Sequence, residues 1–448
     1  MRRRVLAALL SISLAATAAF GGDWTPPPVA ATWKAYEAAY PKKTSSAAAL
    51  EIESLAARLG IETAPEGRAV ADPDDGEKVV HLRPDDGRER PDAELAKRMH
   101  PTISAAGHWA EKELAEPSAR IGPPEEPVLR FFDENAATLD AIAAVASGTR
   151  PIDWELDVAL RSESPLPNLL GLSRLQRVLA ARALLQVRAG DNDAALVTID
   201  GMWRLAASLG DQPYLISQLI ALTQVRLVVG LLRKVDAPAF GWEQRLRQQP
   251  FYAAFLAAFQ NDPWPVAADP ERAQTVETIT RIYRRFADGL AEKSACEWTR
   301  ETMTRSFQVA ASAEDASDET IASVAWDSIV DMIPRAQRLM LDSELTALVL
   351  QARAEKAASR EGEWPARLPD LESSVCPGRF YSYRRAGGIT LSLEGPLPAE
   401  DRHGLVLPMT FRGPPPPTPT PTPTRTRAPG ERPEPPRTPT PHRPAAPE

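Results

Sequence analysis

This 448-residue sequence has two cysteines, Cys296 and Cys376, and five histidines. It has no glycine-rich phosphate loop, no His-Glu-x-x-His, no Gly-x-Ser-x-Gly, no Cys-x-x-Cys and no serine-x-x-lysine acylation set. None of the chemistries enforced by those spacings is therefore written in the chain. An excess of basic charge is missing too. The formal charge is −8, and setting aside the three N-terminal arginines and the segment from Gly413 onward leaves about −13 on the rest, which argues against a phosphate-binding surface and so against nucleic acid as a partner.

What is present is a globular composition, with 43% apolar and 25% charged residues, enough for two or three domains of ordinary size. Arg2-Arg3-Arg4, then Val5 to Leu10, then Ala16-Thr17-Ala18 read as the charged, apolar and small-x-small parts of a secretory signal peptide over residues 1–18. An uncleaved anchor is the alternative, and would be the one route to membrane association. However, an alanine-rich stretch of about 15 residues is short for a ~30 Å hydrocarbon layer. No cysteine follows the cleavage site, so a lipoprotein is not expected. Arg3-Arg4-Val5-Leu6 touches the twin-arginine pattern, but without a longer polar n-region the ordinary secretory route is expected. In an oxidising compartment Cys296 and Cys376 can pair, closing a loop of roughly 80 residues; two separately buried thiols are the other reading.

Residues 19–63 predict two helices. Trp33, Tyr36 and Tyr40 recur at helical spacing up to Pro41; then Thr44-Ser45-Ser46 offer caps, Ile52, Leu55, Ala56 and Leu59 share a face, and Gly60 ends it. The aromatic stripe reads as core. Residues 64–92 read as a loop or one short strand, Val79 to Leu82, bracketed by the turn signals Pro73-Asp74-Asp75-Gly76 and Pro84-Asp85-Asp86-Gly87. Asp72, Asp74 and Asp75 lack the alternation of a calcium loop.

From 93 to 360 the periodicity is helical, broken at intervals that suit stacked antiparallel hairpins. Leu172, Leu175 and Leu179 lead to Gly190; Asp191 or Asp193 caps a helix bearing Leu196, Ile199, Trp203 and Ala206; Gly210 ends that, and Pro213 opens a third. The third, Leu215 to Leu232, is the most apolar stretch after the leader, yet Gln218, Gln224 and Arg226 interrupt it, so it reads as the buried central helix. Val276, Ile279, Tyr283 and Phe286 form a stripe flanked by Arg281, Arg284 and Arg285, read as a solvated helix surface rather than a lipid-binding one. Glu314, Asp315, Asp318 and Glu319 suit the start of a helix from Ile321, and Pro334 is expected to kink or divide it from Leu339 to Ala358.

The stretch Arg188 to Leu196 resembles the junction of a tetratricopeptide helix hairpin, over one unit of about 34 residues. In residues 361–412, Gly362-Glu363-Trp364-Pro365 leads to Leu368, then Tyr381 to Arg384, Gly387-Gly388 and Ile389 to Leu393, a β-hairpin signal. That order is similar to the small globular end of type II secretion major pseudopilins. The resemblance implies a long helix followed by a short hairpin, and in that family several acids of the last loop often hold calcium; here only Glu400 and Asp401 stand near that position. Residues 413–448 are Pro-Thr and Arg-Pro repeats holding fifteen of the 44 prolines, which predict a disordered tail.

His100 and His108, with Glu111 a turn beyond, are the one histidine cluster close in sequence. On one helix they would offer a zinc site or a base with its orienting acid, but Pro101 and Gly107 are expected to break that helix. No catalytic, cofactor-binding or metal residue is assigned, and no cofactor is expected. The expected fold is therefore mainly α: stacked antiparallel helical hairpins, a small C-terminal α/β cap and a disordered tail. The whole resembles secreted bacterial α-helical proteins with proline-rich ends, which implies an exported, non-enzymatic binding or scaffold protein of the cell envelope whose partners are envelope proteins or polymers. The alternatives are an envelope hydrolase with an unrecognised active site and a component of a secretion or pilus apparatus.

Overall fold

A computed structural model describes residues 30–413 except 66–67, 72–78, 83–86, 264–272, 315–325, 396–404 and single positions 31, 238, 262, 292, 370, 387 and 394. The signal segment, most of the two turn signals, Glu400, Asp401 and the tail beyond 413 lie outside the described residues. The chain is mainly α-helical, with a small C-terminal α/β part.

Helix α1 (Trp33–Ala39) starts at Thr32, whose hydroxyl accepts the Ala35 amide, and α2 (Ala47–Arg58) starts at Ser46, which accepts the amide of Ala49. At its end Gly60 takes φ 78°, the left-handed conformation that a helix stop requires. Residues 64–92 hold more than the expected single strand. Strands β1 (Arg68–Ala71) and β2 (Val79–Leu82) pair antiparallel, since a lone strand leaves its own amides without partners.

Next come α3 (Ala93–Ala115) and α4 (Glu126–Ser147), followed by the three-helix set α5 (Leu169–Arg188), α6 (Asn192–Gly210) and α7 (Leu215–Leu232). Gly190 has φ 82° and Asp191 accepts the Ala194 amide, so the sequence junction is a helix-stop, helix-start pair joining α5 to α6. α7 is apolar on all sides, with a mean hydropathy of 1.8, and 78% of it is buried. A helix with no polar face must be surrounded by other helices, and α3, α5 and α6 pack against it. One of its polar groups is well held within the core: Gln218 Nε2 donates to the carbonyls of Leu209, Gly210 and Gln212 at 2.7–3.1 Å.

Helices α8 (Trp242–Arg247), α9 (Phe251–Asn261), α10 (Ala273–Ala291) and α11 (Arg300–Ala313) lead to the 33-residue α12 (Trp326–Ala358). Pro334 lies within α12, so of the two expected effects it does not divide the helix. Glu314 does not serve that helix; it bridges Arg281 and Arg285 of α10, both of which stay about half-exposed. The aromatic stripe of α1 is core, as expected. Tyr36 and Tyr40 pack with Leu156, Val158 and Tyr214 in a cluster apart from the main core.

The C-terminal cap is a three-stranded antiparallel sheet: β3 (Tyr381–Arg385), β4 (Ile389–Leu393) and β5 (Thr410–Arg412), in that order. The hairpin read from the sequence is present, with Tyr381 opposite Leu393 and Arg385 opposite Ile389; the added β5 places Phe411 opposite Leu391. Alternation in β4 turns Ile389, Leu391 and Leu393 inward.

Helix α12 joins the two parts because it carries two apolar stripes. Ile333, Ala336, Leu339, Ala347 and Leu350 face the main core, whereas Leu341, Leu345, Leu348 and Ala352 pack under the sheet with Trp364, Tyr381 and Phe411. Between them runs a polar stripe, Arg338, Asp342 and Thr346, at four-residue spacing.

One close approach is a direct test of this packing. A Cβ on Gly171, in the first turn of α5, would lie 1.7 Å from the Glu62 carbonyl oxygen. Gly171→Ala must therefore push backbone from backbone, and a loss of about 1–3 kcal/mol, or more, is expected in chemical denaturation. An unchanged denaturation midpoint would show that the loop after α2, at Glu62, does not lie this close to α5.

Candidate functional site

The densest buried polar constellation lies on the seam between α7, α12 and the cap. Its centre is Asp342, whose side chain is fully buried. Arg233 Nη2 and Arg338 Nε each lie 3.4 Å from Asp342 Oδ1, and Arg226 Nε lies 3.5 Å from Oδ2. One carboxylate cannot neutralise three guanidinium groups, so the remaining compensation must come from dipoles. It comes from carbonyls of the cap. Arg226 Nη1 donates to Leu405 O at 3.2 Å, Arg338 Nη2 to Leu407 O at 2.6 Å and Arg233 Nη1 to Pro408 O at 2.7 Å.

Further buried cations close the ends of helices. Arg353 donates to the carbonyls of Leu232 and Arg233 at 2.8 and 2.7 Å, where α7 runs out of intrahelical partners. Lys234 Nζ donates to Glu116 O and Ser118 O at 3.0 and 2.6 Å, just past the end of α3. That loop is itself bonded to the sheet, because the Arg412 amide donates to Pro117 O at 2.9 Å. Burial pulls the Arg233 guanidinium below its ordinary value, opposed by Asp342, and takes Arg353 down to about 10. At that value Arg353 remains charged at neutral pH. Burial likewise lowers the Lys234 ammonium to about 8.

A second hub faces the cap from the same helix. Glu344 accepts from the Ser373 hydroxyl at 2.6 Å, the Ser374 amide at 2.6 Å, the Ser374 hydroxyl at 2.8 Å and the Tyr381 hydroxyl at 2.9 Å. Burial, and then the negative charge of Glu344, hold the Tyr381 phenol far above its ordinary value, fixing it as a donor. Two residues past Ser374, Cys376 is joined to Cys296 with Cα atoms 5.5 Å apart, which settles the open choice in favour of the bridge.

The histidine cluster takes a different form. α3 runs unbroken through Pro101 and Gly107, correcting the expected break; Pro101 stands within the helix on its exposed side. Nevertheless His100 and His108 are both exposed, His108 Nδ1 lies 3.4 Å from Ser104 Oγ, and Glu111 is turned to Arg177 at 2.7 Å. The three are not brought together. Among the described residues no group of three or more His, Cys, Asp or Glu side chains is placed to hold a metal ion.

The seam residues were missed by motif reading because they form no motif. One signal was available: Arg338 and Asp342 sit one turn apart on either side of the apolar run Leu339-Met340-Leu341, and Arg233-Lys234 follow directly on the most apolar helix of the chain. Charges in those positions are buried and paired, or they are absent. No protein-family model, curated protein or solved structure matches this chain. What the fold and site define is a class of architecture: a helical body with a sheet cap riveted to it by buried arginines.

Removing the central acid leaves three guanidinium groups without their shared anion. Asp342→Asn is expected to cost about 3–5 kcal/mol in urea unfolding. A loss under ~1 kcal/mol would mean the carbonyls alone suffice. Lys234 supplies a pH test. The folded state releases this proton at about 8 and the unfolded chain keeps it to the ordinary 10.5, so the unfolded state binds more protons between those values. Stability of the wild type relative to Lys234→Met should therefore rise from about pH 8 to 10, by at most about 1.4 kcal/mol per unit. A flat difference would refute the buried charge.

Proposed function

We propose that this chain is exported and serves as a non-enzymatic binding or scaffold protein of the cell envelope. The observation that carries the reading is the Cys296–Cys376 disulfide, which ties together segments 80 residues apart and belongs to an oxidising compartment. It accords with the leader-like residues 1–18. The buried ionisable groups support the non-enzymatic part. Arg226, Arg233, Arg338, Arg353 and Lys234 donate to backbone carbonyls, and Glu344 accepts four bonds from the cap. Groups committed in this way build a structure; an acid or base needs an open position for its substrate. Envelope proteins or polymers remain the proposed partners. The tail after Gly413, with five arginines against three glutamates, suits an anionic polymer.

A second reading, a component of a secretion or pilus apparatus, draws on one observation. The 33-residue α12 runs through Gly362 and Trp364 into a short antiparallel sheet, the order of elements that the sequence shares with major pseudopilins. The two readings differ in assembly: an apparatus component forms filaments with its own kind, and a scaffold does not.

Fractionation of cells making the full chain tests the proposal. The expected product begins after Ala18, sits outside the cytoplasm, and gives no alkylated cysteine under denaturing, non-reducing conditions. A full-length cytoplasmic product with two alkylatable thiols would overturn it. Binding to purified anionic envelope polymer should fall when residues 413–448 are removed; equal binding would reject the tail as the contact.

A further inference from the structure

We propose that the Cys296–Cys376 disulfide is a one-sided clasp: thiol–disulfide exchange enters at Cys296, and Cys376 is the resolving thiol. The partner is an external thiol, either a small one or the reactive cysteine of a thiol–disulfide exchange protein. The inference concerns the chemistry of the bridge and does not rest on the export reading.

Access differs between the two sulfurs. Cys376 is fully buried under the cap, in a turn where its amide donates to Ser373 Oγ at 3.0 Å. Cys296 is only partly buried, in a short 3₁₀ turn (Ala295–Glu297) between α10 and α11. An attacking thiolate must approach in line with the S–S bond, and of the two ends only Cys296 is partly exposed.

Charge points the same way. Arg379 Nη1 donates to Cys296 Sγ at 3.0 Å, so a guanidinium sits against the sulfur to be attacked. On the other side, Ser373 links Cys376 to the Glu344 carboxylate through bonds of 3.0 and 2.6 Å. A thiolate is thus attracted toward Cys296 and repelled from Cys376.

The step balances without an added oxidant. The external thiolate forms a sulfur–sulfur bond to Cys296, the Cys296–Cys376 bond breaks, and Cys376 leaves with the electron pair and takes a proton from water. Cys376 stays beside the mixed disulfide in its buried turn, so it returns on Cys296 and expels a monothiol, whereas a dithiol completes the reduction. Opening the clasp separates α10 and α11 from the cap. The cap itself stays seated, since Arg226, Arg233, Arg338 and Glu344 hold it independently.

The experiment treats the oxidised full chain with reduced glutathione, quenches with acid, alkylates and maps the peptides. The adduct is expected on Cys296 over Cys376 by about ten-fold or more. Equal labelling, or an adduct mainly on Cys376, overturns the proposal. Arg379→Gln should slow adduct formation about three- to ten-fold and remove its salt dependence, while Arg379→Lys keeps both; an unchanged rate in Arg379→Gln overturns the electrostatic part. After dithiothreitol, amide exchange should rise in residues 273–313 and stay low in 405–412. A rise confined to the cap would show that the clasp holds the sheet and not the α10–α11 pair.

Discussion

The carboxylate of Asp342 is the point on which the two parts of the molecule depend. It sits on α12 with no exposed surface, shared by Arg226 and Arg233 from α7 and by Arg338 from its own helix. Burying three guanidinium groups beside one carboxylate is tolerable only because each also finds a carbonyl oxygen at a fixed place. Those carbonyls belong to residues 405, 407 and 408, the strand approach of the cap. The interaction is therefore positional as well as energetic. A cap shifted by one residue would offer amides where the arginines need acceptors.

Apolar packing supplies the bulk of the cohesion and the charges supply the register. The stripe Leu341, Leu345, Leu348 and Ala352 would bury equally well against many sheet surfaces, because apolar contact is not directional. The arginine–carbonyl bonds and the four bonds to Glu344 select one placement. Lys234 extends the same logic to α3, tying the 116–118 loop to the end of α7 while Arg412 ties it to β5. Body, loop and cap are thus cross-linked by polar groups at every side of the seam. The disulfide adds α10 and α11 to that frame.

Much of the fold was legible in the sequence because its helices carry their own punctuation. Ser46 and Gly60, Gly190 and Asp191, and the long apolar run of α7 act within a few residues of themselves, so periodicity and caps locate them. The expected break at Pro101 failed for a physical reason. Proline removes one amide donor, and in a 23-residue helix the remaining bonds and the buried side chains of Ile103, Ala106 and Ala110 outweigh that loss. The strand β1 was missed because pairing is non-local: Arg68 to Ala71 has no alternation of its own and is a strand by virtue of Val79 to Leu82.

The candidate site was hardly legible at all, since nothing in local sequence says which charge will be buried with which. By itself the sequence determined the helical character of the body, the ends of α2, α5 and α6, the central burial of α7 and the β-hairpin, all of which follow from period and from caps a few residues apart. Only tertiary structure decided that Cys296 meets Cys376, that Glu314 serves α10, and that Asp342 collects arginines from two helices. Apart from the Arg338–Asp342 pair on one helix, those choices join residues from 29 to more than 100 positions apart, and the ion pairs among them are fixed by where a charge finds its partner.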